Sequence, residues 1–539
     1  MRGLMMDYQL TLPSLLDRAR MLHRREIVSR TPAGMHRYTY REYVDRVDRL
    51  RTALARLGVG KGDRVGTFAW NSYRHFETYF AAPCMGAVIH TLNIRLHHDQ
   101  VAYIANHAED KVICVDATLL PAFSKVRSQL KSLEHVIVYP DDGAPVDPAV
   151  GLDYEQLLAE ATPAEGYPDI DENDAMGMCY TSGTTGNPKG VVYSHRAVVL
   201  HTLMQVASDL LGMSAEDSTL AIVPLFHANA WGFPYAGVMT GSKMVWPGPF
   251  MQPKDIAELI DGEGVTFVGG VPTIIGGLYQ YLRDHKEEHD VSSLRSIAVG
   301  GAACPQSLME GFRKDFGVWI THAWGMTELA PIGTICKLKP HQEDLPYGEQ
   351  LAYRLKQGVP VPLVEVRIVD EQGKPLPHDG KAFGELQVRG PWISSSYYND
   401  DRSPASFQDG WFRTGDVANI DPEGFVQLVD RTKDVVKSGG EWISSVELEN
   451  AIMLNPKVAE AAVIGVSHPK WTERPLACVV PKPGMELTPG EVIATIKDRF
   501  ATWWLPNDVV FIEAVPKTSV GKFDKKVLRE RFKDHQWSE

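Results

Sequence analysis

Cysteine is scarce in this sequence. Only Cys84, Cys114, Cys179, Cys304, Cys336 and Cys478 occur in 539 residues, and no two form a CxxC pair. That excludes a disulfide-stapled scaffold and a thiolate zinc site, and it predicts buried, reduced thiols in a cytoplasmic setting. No stretch approaches the roughly 18 consecutive apolar residues of a bilayer-spanning helix, so no integral membrane segment is expected. The N-terminal MRGLMMDYQLTLPSLLDRAR has no continuous apolar core and no small-residue cleavage site, so no signal peptide is expected. Basic charge is in deficit: 55 Lys and Arg against 68 Asp and Glu give a net charge of −13. Phosphate backbones want positive faces, so nucleic acid is not an expected partner. A local basic patch for a nucleotide remains open. There is no internal repeat and no G-x-S-x-G elbow, and Ser194 and His195 are adjacent on a predicted helix, where side chains point apart.

A chain of 539 residues is too long for one hydrophobic core and predicts a large part with a smaller one. Over roughly the first 430 residues, short apolar runs alternate with text of helical period. Arg64–Trp70, Gly86–Thr91 and Val112–Val115 are predicted strands, with helices over Phe76–Cys84 and Gln100–His107. The alternation resumes with a strand over Val265–Val268, a helix over Thr273–Leu282, a strand over Ser296–Val299 and a helix over Gln306–Phe316. Such text predicts parallel α/β layers. The last hundred or so residues differ. Ser444 and Glu447 suggest a capping box, and Thr488, Pro489 and Glu491 open a helix with Val492, Ile493, Ile496 and Phe500 at helical spacing. With predicted strands over Ala461–Val466 and Asp508–Val515, this is a small α+β domain. The expected division is 1–430, a hinge at 431–433, and 434–539.

The densest chemical signal is TSGTTGNPKG, Thr181–Gly190, between two strand-like runs. It combines the hydroxyls of Thr181, Ser182, Thr184 and Thr185 with Gly183, Gly186 and Gly190 and one cation, Lys189. Glycine lets backbone N–H groups approach an anion closely, and hydroxyls and a Lys add donors for phosphate oxygens. It is not a Walker A loop, because Lys189 is followed by Gly190 rather than by Ser or Thr. A polar surface turn is the plain alternative.

This loop, followed in order by VGGAA (Val299–Ala303), AWGMTE (Ala323–Glu328), WFRTGD (Trp411–Asp416), DRTKD (Asp430–Asp434), KSGGEW (Lys437–Trp442) and PKTSVGK (Pro516–Lys522), resembles the adenylate-forming superfamily over nearly the whole chain. That superfamily holds acyl-CoA synthetases, firefly luciferases and peptide-synthetase adenylation domains. The likeness is greatest to bacterial medium- and long-chain fatty acyl-CoA synthetases and methylmercaptopropionate-CoA ligases. It implies a large, multilayered α/β N-terminal domain with a small mobile α+β C-terminal domain, and a homodimer.

The resemblance also implies roles. Thr181–Gly186 and Lys189 would hold the phosphates of ATP, and Thr184 and Glu328 would hold Mg²⁺. Gly300, Gly301 and Ala302 would run between the adenine and acyl pockets, with Trp324, Gly325 and Met326 against adenine and Thr327 at the α-phosphate. Asp416 would take the ribose hydroxyls, Arg431 a second ribose or phosphate contact, and Lys433 the pivot. Lys437, Gly439, Gly440, Glu441 and Trp442 would line the path of the CoA arm, and Lys522 would be the catalytic cation. In PLFHANAW (Pro224–Trp231), His227 and Trp231 face the acyl group, and Trp231 stands where long-chain relatives carry a tryptophan gate. Core packing is the plain alternative for Trp231, a solvated linker for Arg431 and Lys433, and a structural turn for the Gly439–Gly440 loop.

The implied activity joins a carboxylic acid to CoA, with ATP giving acyl-AMP and pyrophosphate. A linear medium- or long-chain fatty acid is the first expectation, and methylmercaptopropionate or an aromatic acid the alternative. A nucleotide-binding sensor without turnover is the rival of another class. The joint presence of Lys189, Glu328, Asp416 and Lys522 speaks against it.

Overall fold

Alternating apolar runs and amphipathic helices become stacked α/β layers. The computed structural model describes residues 1, 3–140, 145–181, 187–431, 434–438, 441–518 and 522–537. Among them lie four sheets. The largest has nine strands, and its inner ones, Ile320–Gly325, Ser296–Val299, Phe267–Gly270, Ser218–Ala221, Lys243–Trp246 and Glu26–Thr31, run parallel. The second, of seven strands, ends on the antiparallel pair Ala175–Thr181 and Lys189–Ser194, which flanks the Gly-rich loop. Covered on both faces, such strands read as near-continuous apolar text. The strand Asp110–Asp116, for example, buries Val112, Ile113, Cys114 and Val115 in succession.

A third sheet of five strands holds Trp411–Ile420 against Val426–Arg431, joined by a turn in which Asp421 N donates to Phe425 O. The fourth, also of five strands, opens at Val436 and is built wholly from the C-terminal part. Its strand Val458–His468 alternates from Ala461 to Val466, beyond a register shift at Val458–Glu460. Ala461 and Val463 face the helices Ser445–Ile452 and Pro489–Ile496, while Ala462, Ile464 and Val466 face the helix Lys525–Arg531. This is the large α/β and small α+β arrangement that the sequence predicts. Ser296–Val299 and Gln306–Phe316 match their predicted limits. The final predicted strand stops early, at Phe511. Ser444 caps its helix by accepting from Glu447 N, while the full reciprocal box forms at Thr488 and Glu491. All six cysteines are buried and unpaired. Among the described residues no helix is long and apolar enough to cross a membrane.

The last strand of the third sheet meets the C-terminal part through a buried polar cluster. Asp430 Oδ2 accepts from Ser445 N at 3.1 Å and from the Ser445 hydroxyl. Lys525 Nζ reaches Ser445 Oγ and lies 2.7 Å from Glu449 Oε1, which also accepts from Val463 N at 2.7 Å. Two carboxyls share one ammonium here. Burial raises both, Glu449 to about 7, against the pull of Lys525. Glu449 keeps a proton in the folded chain that it has lost in the unfolded one. Its contribution is therefore full below the ordinary Glu range and is lost as pH rises through about 7. Thermal unfolding of Glu449→Gln across that interval should show a flatter pH dependence than the parent, by on the order of 1–3 kcal/mol. Parallel pH profiles for the two proteins would refute the assignment.

Candidate active site

Several strand ends of the large part and several segments of the C-terminal part converge on a cleft of about 1,210 Å³. Thr181 and Lys189 line it from the two sides of the Gly-rich loop, and His227, Gly301 and Ala302 from the strand ends of the large sheet. Trp324, Gly325, Met326, Thr327 and Glu328 follow from the strand Ile320–Gly325 and the short 3-10 turn Thr327–Leu329. Asp416 and Arg431 come from the third sheet and Lys522 from the C-terminal part.

The local backbone explains why those residue types stand there. The ladder between Ile320–Gly325 and Ile332–Ile335 shifts register at Trp324 and Gly325. A Cβ at Gly325 would lie 2.1 Å from the Pro331 carbonyl oxygen, so only glycine lets the chain turn into the cleft. The Trp324 ring packs against Gly333, where a Cβ would come within 2.6 Å of it, and Nε1 donates to Asp416 Oδ2 at 2.9 Å. Asp416 is buried and directly opposite Arg431 in the ladder, with Arg431 Nε at 3.5 Å from Asp416 Oδ1. The predicted ribose carboxylate is thus oriented by two residues of the same motif set.

Glu328 is buried and its carboxyl is held above the ordinary range, first by desolvation. Tyr397 OH donates to its Oε1 at 2.7 Å, Ser394 N donates to its backbone oxygen at 2.8 Å, and Tyr193 OH fixes the Thr327 carbonyl at 2.7 Å. Lys189 Nζ sits 4.3 Å from the centre of the Tyr397 ring, and burial lowers its pKa. Arg402 caps the loop side by donating to the Asn187 carbonyl. Tyr397, Ser394, Tyr193 and Arg402 carry no motif signal. Their partners lie tens to hundreds of positions away, and only the fold brings them together. A buried hard oxygen donor beside a phosphate loop suits Mg²⁺, which is bound by few protein carboxylates and by phosphates.

Lys522 reaches over Gly301. A Cβ on Gly301, whose φ is +82°, would stand 3.3 Å from Lys522 Cε. Thr518 Oγ1 accepts from Lys522 N at 3.2 Å, and Thr518 N donates to Lys522 O at 2.7 Å, so the end of the loop is braced on itself. Burial, then Arg431, lowers the Lys522 pKa to about 8, while Asp416 and Glu328 oppose them. His227 lies nearby and is held neutral, its pKa lowered to about 3 by burial and then by Lys522. The cleft therefore offers a movable cation and a neutral imidazole.

Behind His227 a smaller cavity of about 70 Å³ is lined by Trp231, Phe233, Gly300, Gly301, Ala298 and Ile332, among others. A Cβ at Gly300 would lie 3.3 Å from the Trp231 ring, so the bare backbone there makes room for the indole. Of the remaining predicted site residues, Ser182, Gly183, Thr184, Thr185, Gly186, Lys433, Gly439 and Gly440 lie outside the described residues. Lys437 lies on the strand Val436–Ser438, paired with Glu441–Ile443, the backbone of Glu441 and Trp442. Among the described residues, Thr518 and Lys522 line the cleft and Lys437 does not.

Residues 17–398 match the family described as "AMP-binding enzyme", and residues 447–522 match "AMP-binding enzyme C-terminal domain". The chain is 49% identical to a long-chain-fatty-acid–CoA ligase of Thermus thermophilus, over 98% of this chain and 97% of that one. It is 45% identical to a 3-methylmercaptopropionyl-CoA ligase of Ruegeria lacuscaerulensis, over 99% of both. Among solved structures, an anthranilate CoA ligase in complex with anthranoyl-AMP superposes with a TM-score of 0.87 at 25% identity, covering 98% of this chain and 99% of that one. Two domain matches in the order of the motifs, and relatives of nearly equal length, establish that the chain belongs to the AMP-binding enzyme family.

Proposed function

We propose that this chain makes an acyl-CoA thioester in two steps through an acyl-adenylate. It is an acid–thiol ligase of the AMP-forming kind. The observation that carries the proposal is Lys522: a cation from the C-terminal part is lodged between Gly301 and the charged group of Glu328, Asp416 and Arg431. In the first step a carboxylate oxygen of the acid attacks the α-phosphorus of ATP, and the bond to the leaving pyrophosphate breaks. The chain's work is positioning and neutralising charge. Lys522 faces the reacting oxygens, Asp416 the ribose, and Lys189 with Thr181 the phosphates. Glu328, with Thr184 from the loop, would hold Mg²⁺, which would offset phosphate charge. In the second step the sulfur of CoA attacks the acyl carbonyl, a C–S bond forms, and AMP leaves. For that step the C-terminal domain, 434–539, turns about the 431–433 hinge, withdraws Lys522 and presents the hairpin of Lys437, Gly439, Gly440, Glu441 and Trp442 to the CoA arm.

The acid is a linear aliphatic chain of medium or greater length, as for the Thermus relative. A second reading, a short thioether acid such as methylmercaptopropionate, is supported by the Ruegeria relative and by the small acyl cavity, about 70 Å³. That is several times the roughly 10–15 Å³ that one water needs, enough for a few heavy atoms. Six buried, unpaired thiols support a reducing, cytoplasmic location. Exposed Leu4, Met5, Met6 and Tyr8 near the N-terminus support a homodimer.

Acid-dependent ATP–pyrophosphate exchange, run without CoA from acetate to stearate with methylmercaptopropionate and cinnamate, should show one window of active acids. A folded, ATP-binding protein silent with every acid would overturn the proposal in favour of a sensor. Lys522→Ala should lose roughly two to three orders of magnitude of exchange, the size of one lost electrostatic contact in a transition state. It should still convert supplied acyl-AMP to thioester, and loss of both half-reactions would count against the domain movement. Tyr397→Phe removes the hydroxyl that orients Glu328. The Mg²⁺ concentration for half-maximal exchange should then rise by about tenfold or more, and an unchanged requirement would detach Tyr397 from the metal.

A further inference from the structure

The small cavity has an open and a blind side. His227, Gly301, Trp324, Thr327 and Lys522 line both it and the large cleft, so they mark its mouth. Gln205, Leu211, Trp231, Phe233, Ala298 and Ile332 line the small cavity alone, and they form its far wall. Trp231 belongs to an unusual turn. Ala228, Asn229, Ala230 and Trp231 have φ of +44°, +52°, +47° and +55°, four consecutive non-glycine residues in the left-handed region. Each such residue costs roughly 1–2 kcal/mol relative to the right-handed form. A turn of this kind persists only where its surroundings hold it.

Hydrogen bonds hold the turn, one of them from Phe233 N to Ala230 O. Ala230 N donates to His227 O at 3.0 Å, and Cys179 Sγ donates to Asn229 Oδ1 at 3.4 Å. Gln205 Nε2 donates to the Trp231 carbonyl at 2.5 Å, and this is the tie on Trp231 itself. Gln205 is 1% exposed, and its other amide atom, Oε1, has no partner among the described residues. An apolar residue of that size would fill the site without leaving a buried acceptor unmet, a cost of about 1–3 kcal/mol. The next residue, Gly232, sits so close that a Cβ would come within 2.8 Å of Gln205 Oε1 and 2.9 Å of His201 Cε1. An amide is thus buried at a cost, with its donor spent on the backbone that carries the indole.

We infer that Gln205 sets the length of acid the site accepts, by pinning the Trp231 turn as the far wall of the acyl cavity. It acts on the acyl chain through Trp231, as a positioning residue. The inference rests on the acid-ligase reading above and deepens it. With the pin in place the wall limits the length of chain the site accepts. With the pin released the turn relaxes, the indole leaves the wall, and longer chains enter.

The test measures kcat/KM in ATP–pyrophosphate exchange for decanoate and for butyrate, and takes their ratio. Gln205→Met keeps length and removes the donor. It should raise the decanoate-to-butyrate ratio by roughly tenfold or more, the scale of one or two methylene contacts. Trp231→Ala should raise it similarly, and the double variant should rise no further. A residue that merely stabilises the fold would instead act independently, and the double variant would show the product of the two single effects. Gln205→Glu provides a variant of nearly native shape. Its carboxyl can donate to the Trp231 carbonyl when protonated, near about pH 6, and cannot when ionised, near about pH 9, so the ratio should be native at low pH and raised at high pH. An unmoved ratio in Gln205→Met, within about twofold of the parent, with Trp231→Ala raised, would overturn the inference and leave the ligase reading standing. A parent protein inactive on every acid would remove both.

Discussion

An ammonium group must leave water to reach this site, and the rest of the architecture serves that transfer. Lys522 lies in the C-terminal part, more than 200 residues from Gly301, the backbone over which it lies. Placing a cation in a nearly dry cleft lowers its pKa to about 8. The cost is offset by Asp416 and Glu328 and made worse by Arg431. In such a place the phosphates of the proposed nucleotide would be a suitable counter-charge. The neutral His227 keeps that balance simple, because it adds no second positive charge beside Lys522.

What brings Lys522 there is a second, quite different arrangement of charge. The Asp430–Ser445–Lys525–Glu449 cluster, whose Lys525 lies three residues beyond Lys522 in sequence, joins the last strand of the third sheet to the helix Ser445–Ile452. Arg529 adds a contact to Asp434 on the same face of the helix Lys525–Arg531. These groups are partnered by one another within the cluster. A buried ion cluster of this kind is weak evidence of stability and better evidence of a fixed arrangement, because it costs much if any partner is displaced. It therefore suits a contact that specifies the seating in which Lys522 reaches the cleft, the arrangement proposed for the first step.

The sequence makes the elements and the motif positions legible for local reasons. Helix Gln306–Phe316 and strand Ser296–Val299 follow from hydrophobic period alone, and Thr488 with Glu491 from cap chemistry. Strand ends were less legible: Asp508–Val515 stops at Phe511, where the following backbone leaves the ladder. Thr181, Lys189, Trp324 and Glu328 line one cleft because each sits at or beside a strand end or a turn, and Asp416 joins them from mid-strand opposite Arg431. Tyr397 and Gln205 were illegible. Each acts through one hydrogen bond to a residue 69 or 26 positions away, and a Tyr in SSSYYND or a Gln inside a buried helix has no periodic or spacing signature. The Trp324–Asp416 bond was hidden in the same way, since both residues stand in recognisable motifs but their pairing needs the sheets in register.

Glycine solves a common problem at the cleft and at the acyl cavity. At Gly325 a side chain would strike the Pro331 carbonyl, at Gly301 it would crowd Lys522, and at Gly300 and Gly232 it would collide with the Trp231 wall or its support. Bare backbone is thus used where two pieces of machinery must approach more closely than side chains allow. The non-glycine left-handed turn at Ala228–Trp231 is the opposite choice. There the chain accepts strain to hold an indole where glycine would let it wander. A conformation that costs energy in every residue is poised to change once its tie is broken, whereas a glycine turn would have no stored bias to release. The Trp231 end of the cleft is in this sense built to yield, and the opposite end, where Trp324 bonds to Asp416 and Tyr397 to Glu328, is built to stay.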